Sequence, residues 1–156
     1  MWGCGVSRSG AAAVLASSFL LLALAVPPAA GEMRTGPRGL QLIKHFEGFY
    51  PSPYRDPVGV LTQCYGATGV EMLGLPPIAT ERQCHDRLVR SLGRYERAIN
   101  RLGLPLNQNQ FDALASAVYN LGVGVLEPGR SLGAALRARC WRCAADALLL
   151  YVYAGG

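Results

Sequence analysis

The feature that most constrains the fold is a segment between Thr80 and Gly103 in which apolar side chains recur at every third or fourth position. This spacing places them on one face of an α-helix, and that face must be buried against the rest of the domain. Thr80 followed by Gln83 forms a capping-box signature, and Gly103 ends the segment. The apolar positions are Cys84, Leu88, Leu92, Tyr95, Ile99 and Leu102. The sequence therefore predicts a long amphipathic helix.

The opposite face of this helix is basic, which is typical of a solvated face but also suits attraction to an anionic polymer. We name these residues the arginine stripe: Arg82, Arg87, Arg90, Arg94, Arg97 and Arg101. A bacterial wall and a nucleic acid are both anionic. The sequence has neither zinc-finger spacing nor an RNP-like aromatic motif, so nucleic acid is not expected as a partner.

A shorter helix and a hairpin are predicted before the long helix. Apolar residues at helical spacing lie between Gly39 and Phe46, and Gly48 follows where a left-handed residue would end the helix. Glu47 is therefore expected at a helix C-terminus. The sequence from Asp56 to Gly59 is typical of a β-turn, and positions 60–65 are rich in strand formers. Positions 66–77 are predicted to form a loop.

Three helices are predicted after the long one. The first begins with the pair Asn107 and Gln110 and ends before a break over positions 122–129. Ser131 is expected to cap the second, and the third runs from about Trp141 toward Val152. Their inward residues are predicted to be Phe111, Leu114, Val118, Leu121, Leu132 and Leu136. The expected fold class is α+β, mostly α-helical, with one small antiparallel β-hairpin.

The N-terminus has the composition of a secretory signal. Arg8 precedes an apolar run over positions 11–26, which ends at Pro27-Pro28 and small residues. We expect a signal peptide over residues 1–31, with cleavage before Glu32 or an earlier site near Ala25, and a mature domain over 32–156. Cleavage leaves fourteen cationic residues against ten acidic ones, a net charge of +4. The expected location is secreted, and an uncleaved N-terminal membrane anchor is the alternative.

Export would place the cysteines in an oxidising compartment. Cys4 leaves with the signal, and the remaining four cysteines are Cys64, Cys84, Cys140 and Cys143. Four cysteines allow three connectivities, and the pairs Cys64 with Cys84 and Cys140 with Cys143 are favoured. The Cys-x-x-Cys at position 140 has no second pair for zinc, and the two histidines, His45 and His85, are isolated, so no metal site is expected.

Glycoside hydrolysis needs a proton donor and a second carboxylate, and the hairpin region contains candidates for both. Glu47 lies at the negative end of a helix dipole and between Phe46 and Phe49, which predicts a raised pKa. Asp56 lies at a polar turn, where backbone N–H groups would stabilise its charge. With a three-residue loop, Thr62 falls on the same face as Asp56 and can hold a water with it. The simpler alternative is two surface carboxylates and a strand threonine.

Glu47, eight residues, Asp56, five residues and Thr62 reproduce the catalytic spacing of the phage-type, T4-like lysozymes and endolysins. The surrounding sequence motifs, over 39–48, 54–66 and 106–122, resemble that family as well. The resemblance implies a two-lobed fold around a saccharide groove, with Glu47 as general acid and with Asp56 and Thr62 positioning water. It implies hydrolysis, by inversion, of the β-1,4 link between N-acetylmuramic acid and N-acetylglucosamine, without metal or cofactor.

The same resemblance places Asn120 and Tyr151 at the groove, although Tyr151 is equally suited to the core. Tyr65 is expected either to stack on a sugar or to pack within the hairpin. Ala67 stands where many relatives carry a histidine, and the chain stops at Gly156, where relatives usually continue with another helix.

Bacterial peptidoglycan is the expected partner of a monomer that has no stable membrane association once the signal is cleaved. Two alternatives remain open from the sequence. One is a non-catalytic, lysozyme-like wall-binding or antimicrobial protein, and the other is a membrane-tethered endolysin.

Overall fold

The computed structural model describes residues 31–151. The predicted signal segment with Cys4, and the chain from Val152 onward, lie outside the described residues. The helices are α1 (Pro37–Glu47), α2 (Glu81–Asn100), α3 (Gln108–Leu121), α4 (Ser131–Arg137) and α5 (Trp141–Leu149). The strands are β1 (Tyr50–Arg55), β2 (Leu61–Cys64) and β3 (Ala67–Thr68), and short 3-10 helices cover Gly69–Met72 and Val123–Leu126. The expectation of a mostly helical α+β fold is confirmed.

Helix α2 has the boundaries and the buried face that its sequence predicts. Thr80 and Gln83 form both hydrogen bonds of the capping box. The chain leaves the helix after Asn100 and turns at Gly103, whose φ of +61° is in the left-handed region. The apolar face is buried at Cys84, Leu88, Leu92, Tyr95 and Ile99. Because α2 packs on the sheet as well as on α3, it connects the two parts of the domain.

The β-sheet has three strands in the order β1-β2-β3, all antiparallel. Tyr54 lies opposite Thr62, and the turn between β1 and β2 is closed by a hydrogen bond from the Gly59 N–H to the Asp56 carbonyl. The prediction of a loop from position 66 was wrong at Ala67 and Thr68, which pair with β2 as a third strand. A strand of two residues is too short to carry a recognisable alternation of apolar and polar residues.

Helix α1 begins without a capping side chain of its own. Instead, the Asp112 carboxylate on α3 accepts hydrogen bonds from the backbone N–H groups of Gly36 (2.8 Å) and Gly39 (3.1 Å). Because the first N–H groups of a helix have no partner within it, Asp112 caps α1 from another element. The helix that carries Glu47 is therefore anchored at its far end to α3.

Two details of the C-terminal helices differ from the sequence predictions. Leu121, predicted to face inward, is 38% exposed because it lies in the last turn of α3, where the chain leaves the core. Ser131, predicted to cap α4, is its first helical residue, and the cap position belongs to Arg130 without a side-chain hydrogen bond. Phe111, Leu132 and Leu136 are buried as expected.

The structure contains disulfides between Cys64 and Cys84 and between Cys140 and Cys143, the two pairs that the sequence favours. The first joins the end of β2 to the first turn of α2, so it ties the sheet to the long helix. The second joins residues only three positions apart at the start of α5. No helix within residues 31–151 is both long and apolar enough to cross a membrane, and no cluster of metal-ligating side chains occurs in that range.

Candidate active site

Glu47 is the last residue of α1 and lies at a cavity of about 220 Å³. Gly48 ends the helix with a φ of +72°, and its N–H donates to the Lys44 carbonyl. A Cβ atom on Gly66 would lie 2.7 Å from Glu47 Oε2, so the absence of a side chain at Gly66 leaves room for the carboxylate. The cavity is lined by Glu47, Gly66, Thr68, Glu71, Arg94, Tyr95, Tyr119 and Asn120.

The Glu47 carboxylate is partly buried and has no hydrogen-bond or ion-pair partner among residues 31–151. Burial raises the pKa of Glu47 above its ordinary value because the charged form loses solvation. The prediction that Phe46 and Phe49 would enclose it was wrong, since these rings are 67% and 43% exposed. Gly66 lies beside the carboxylate instead, and the Tyr119 hydroxyl is also close to Gly66.

Asp56 lies at the tip of the hairpin, at the first position of the β-turn. Its Oδ1 accepts hydrogen bonds from the backbone N–H groups of Val58 (3.0 Å) and Val60 (2.8 Å). Oδ2 has no partner among the described residues. The turn therefore fixes the orientation of the carboxylate and leaves one oxygen free to accept a proton from another molecule.

Thr62 follows on the face of the hairpin that Asp56 occupies. The Asp56 N–H donates to the Val60 carbonyl (3.0 Å), so these residues lie opposite each other, and Thr62 is two residues further along the strand. Its side chain is 4% exposed, and its hydroxyl donates to the Val60 carbonyl (3.2 Å). The hydroxyl oxygen remains available as an acceptor.

Tyr54 lies opposite Thr62, and the charges of Glu47 and Asp56 both act on its pKa. Burial raises the pKa of Tyr54, and the nearby Tyr50, Asp56 and Glu47 raise it further. Glu47 lines the cavity, whereas Asp56 and Thr62 on the hairpin are not among its lining residues.

Of the three residues expected to bind substrate, one lines the cavity and two do not. Asn120 lines the cavity with Glu47. Tyr65 is 4% exposed, with its ring against Phe49 and its hydroxyl donating to Glu81, which favours packing over sugar stacking. Tyr151 is partly buried against the core and does not line the cavity.

The sequence analysis missed several residues of the cavity. Tyr119 is partly buried, and this burial raises its pKa. Its hydroxyl donates to the Tyr65 carbonyl (2.6 Å), so α3 is joined to the turn that carries Gly66. Arg94, assigned to the arginine stripe, points into the cavity and pairs with Glu71 at 2.9 Å. Nothing local in the sequence distinguishes Arg94 from the other arginines of that helix.

The chain is similar to bacteriophage enzymes over most of its length. The family profile described as phage lysozyme matches residues 44–156. The chain is 34% identical over 123 residues to a SAR-endolysin of Bacteriophage PS34, covering 78% of this chain and 71% of that protein. It is 32% identical over 127 residues to the endolysin of Salmonella phage P22, covering 79% and 86%.

The described fold is also similar to solved structures. The muramidase domain of SpmX from Asticaccaulis excentricus superposes with a TM-score of 0.65 at 29% identity, covering 73% of this chain and 76% of that one. A crystal structure of a P22 lysozyme mutant gives the same TM-score at 29% identity, covering 76% and 84%. Sequence and fold agree, and the chain belongs to the phage lysozyme family.

Proposed function

We propose that the cavity beside Glu47 cleaves the β-1,4 link between N-acetylmuramic acid and N-acetylglucosamine. Membership of the phage lysozyme family and the endolysin relatives support a glycosidase that hydrolyses bacterial peptidoglycan. The observation that carries the assignment of the site is a partly buried carboxyl without a partner, Glu47, in a polar cavity next to a hairpin that holds a second carboxyl.

Glu47 is the general acid in this proposal. A proton donor must remain protonated near the working pH, and burial without a compensating hydrogen bond favours the protonated form. Its proton passes to the glycosidic oxygen as the bond to the anomeric carbon breaks. The leaving sugar then departs as a neutral alcohol.

Asp56 and Thr62 position the attacking water. The water donates one hydrogen to the free oxygen of Asp56 and the other to the Thr62 hydroxyl oxygen. Asp56 takes the proton as the water oxygen bonds to the anomeric carbon, and this attack on the face opposite the leaving group inverts the configuration. Asn120, on the cavity wall, is suited to hydrogen-bond an acetamido group or a hydroxyl of a bound sugar.

The decisive experiment measures release of reducing sugar from purified peptidoglycan, together with the anomer formed first, followed by proton NMR. The wild type is expected to release the inverted anomer, and Glu47→Gln is expected to be inactive. Glu127→Gln, which removes one negative charge from an exposed site outside the cavity, is the matched control and should retain activity. Cleavage by Glu47→Gln at the wild-type rate would reject the assignment, and retention of configuration would reject the role of Asp56.

A second candidate function is wall binding that does not depend on catalysis. It is favoured by the exposed arginines of the stripe that do not line the cavity, namely Arg82, Arg90, Arg97 and Arg101. Such a surface attracts anionic wall polymers at low salt. Co-sedimentation of Glu47→Gln with walls measures it separately from cleavage. Binding that is unchanged after these four arginines are replaced would reject this function.

We also propose that residues 1–31 direct export and that residues 32–156 form the exported domain. Disulfides Cys64–Cys84 and Cys140–Cys143 suit an oxidising compartment, and relatives named SAR-endolysin are consistent with export. Cleavage before Glu32 keeps the hydrogen bonds between Met33 and Asn100. N-terminal sequencing of the exported protein tests this proposal, and an intact N-terminus would favour the membrane-anchored alternative.

A further inference from the structure

The cavity beside Glu47 contains an ion pair that the proposed reaction does not use. Glu71, on the 3-10 helix after β3, binds the guanidinium of Arg94 on α2 at 2.9 Å. Both residues line the same cavity as Glu47, and Arg94 is the one cation in that lining. The pair therefore places a fixed positive charge in a space where the proton donor must stay uncharged.

The two members of the pair are held to different degrees. The Glu71 side chain is 13% exposed, whereas that of Arg94 is 54% exposed. Among residues 31–151, the guanidinium also donates to the hydroxyl of its neighbour Tyr95 and lies over that ring, 4.5 Å from the centroid. Because the side chain of Arg94 is long and flexible, the position of its guanidinium depends on its anionic partner, Glu71.

Tyr119 lines the same cavity as the ion pair and the proton donor. After burial, the charges that shift its pKa include Glu47 and Glu71, which raise it, and Arg94, which lowers it. The phenol thus lies within reach of all three charged groups.

We propose that Glu71 is a positioning residue that holds Arg94 away from Glu47, so that the proton donor faces no cationic partner within the cavity. This inference rests on the proposed function, because it explains how Glu47 remains fit to donate a proton. Without the Glu71 charge, the free carboxylate nearest in the cavity is Glu47, and Arg94 would pair with it. A cation next to a carboxyl stabilises the charged form and would disable the acid at neutral pH.

The basic side chains of α1 near Glu47 do not line its cavity. On α1 itself, Lys44 is held by Glu81 at 3.3 Å and lies over the Tyr65 ring, away from the cavity. His45 is exposed and also lies outside the cavity lining. The remaining titratable groups of the cavity lining are Tyr95 from α2 and Tyr119 from α3, and the Glu47 charge also acts on Tyr54 of β1.

The test is to titrate the Glu47 carboxyl by carbon-13 NMR in the full exported domain, with Glu47→Gln used to assign the signal. Glu71→Gln should lower the Glu47 pKa by about one unit or more, as expected for a new cationic neighbour. The double variant Glu71→Gln/Arg94→Gln should return the pKa to near the wild-type value. Arg94→Gln alone should raise it, since an unpaired Glu71 charge then faces Glu47.

The pH profile of kcat/KM gives a second readout, in which the basic limb should move to lower pH in Glu71→Gln and back in the double variant. Glu127→Gln, the same charge change at an exposed site, should move neither quantity. An unchanged Glu47 pKa in Glu71→Gln, or an equal fall in the double variant, would overturn the inference. Because the NMR titration needs no activity, a failure to cleave peptidoglycan would reject the proposed function alone.

Discussion

Two regions of the molecule bury carboxylates, and they treat them in opposite ways. Residues 33–39, here called the N-terminal arm, are held by two carboxylates. Asp112 of α3 is 5% exposed and accepts hydrogen bonds from Gly36 and Gly39 of the arm and from Gln108. Glu96, also 5% exposed, accepts the Thr35 N–H (2.8 Å) and pairs with Arg34 (2.9 Å). In the cavity, the Glu47 carboxylate has no such donor among the described residues, and burial raises its pKa.

The hydrogen-bond donors around a buried carboxyl, more than its burial alone, therefore decide what it can do. A carboxylate that accepts several N–H groups holds chain segments together, because its charge is solvated by the backbone. A carboxyl that is desolvated without donors holds nothing together, but it retains a proton that it can give away. Asp112 and Glu47 act on opposite ends of the same helix, α1.

The largest expected effect is on catalysis. Glu47→Gln removes the proton donor and should reduce peptidoglycan cleavage by about 10²- to 10⁴-fold, as removal of a general acid does. Because Glu47 makes no hydrogen bond in the described structure, the same substitution should leave the free energy of unfolding undiminished. Reducing-sugar release and urea denaturation measure the two quantities on one preparation. A variant that lost both activity and stability would show that Glu47 is also an anchor, and the contrast with Asp112 would fail.

The second effect is on stability. Asp112→Asn keeps one acceptor oxygen but turns an N–H donor toward the N–H groups at the start of α1. Leaving such buried groups unsatisfied should lower the free energy of unfolding by about 2 to 4 kcal/mol. Asp146→Asn, the same change at an exposed position of α5, is the control and should have little effect. Urea denaturation at neutral pH measures both. Equal stability of the two variants would refute the capping role of Asp112.

A smaller loss is expected at Glu96. Glu96→Gln retains an acceptor for the Thr35 N–H and loses the charge opposite Arg34, whose side chain is 64% exposed. An ion pair with an exposed partner contributes little to stability. Glu96→Gln should therefore lower the free energy of unfolding by about 1 kcal/mol, mostly through a weaker hydrogen bond to the Thr35 N–H. Arg34→Ala should cost less than Glu96→Gln in the same denaturation experiment. The reverse order would indicate that the ion pair, and not the backbone hydrogen bond, holds the arm.

The sequence predicted the features that depend on neighbouring residues. The capping boxes at Thr80 and Asn107 and the Asp56 turn are local patterns, so the helices and the hairpin register follow from them. The roles of Asp112 and Glu71 depend on contacts between distant segments, such as the 76-residue separation between Gly36 and Asp112. Local periodicity carries no information about such contacts.

The environment of Glu47 also depends on contacts that local sequence patterns do not predict. Phe46 and Phe49 are its neighbours in the chain, but residues next to each other at a helix end point in different directions, and both rings are exposed. The residues that border its carboxylate, Gly66 and Tyr119, come from other elements. The identity of the acid could be inferred from spacing, whereas the physical cause of its raised pKa required the fold.

The smallest effect is the pH dependence of stability that Glu47 itself contributes. The pKa of Glu47 is raised in the folded protein above its ordinary value of 4.5, so the folded state binds this proton more tightly than the unfolded state. Its stabilising contribution is therefore fully present below that ordinary value and is lost as the pH rises through the raised pKa. Glu47→Gln cannot titrate and lacks this loss. The difference in unfolding free energy between Glu47→Gln and the wild type should thus shift in favour of the variant as the pH rises above the ordinary value of 4.5. Urea denaturation at a series of pH values measures this shift, with Glu127→Gln as the control for an exposed glutamate.

A difference in unfolding free energy that stays constant as the pH rises would mean that the folded protein does not perturb the Glu47 carboxyl. Glu47 would then be as well solvated as an exposed glutamate, and the contrast between the two buried regions would have no thermodynamic basis.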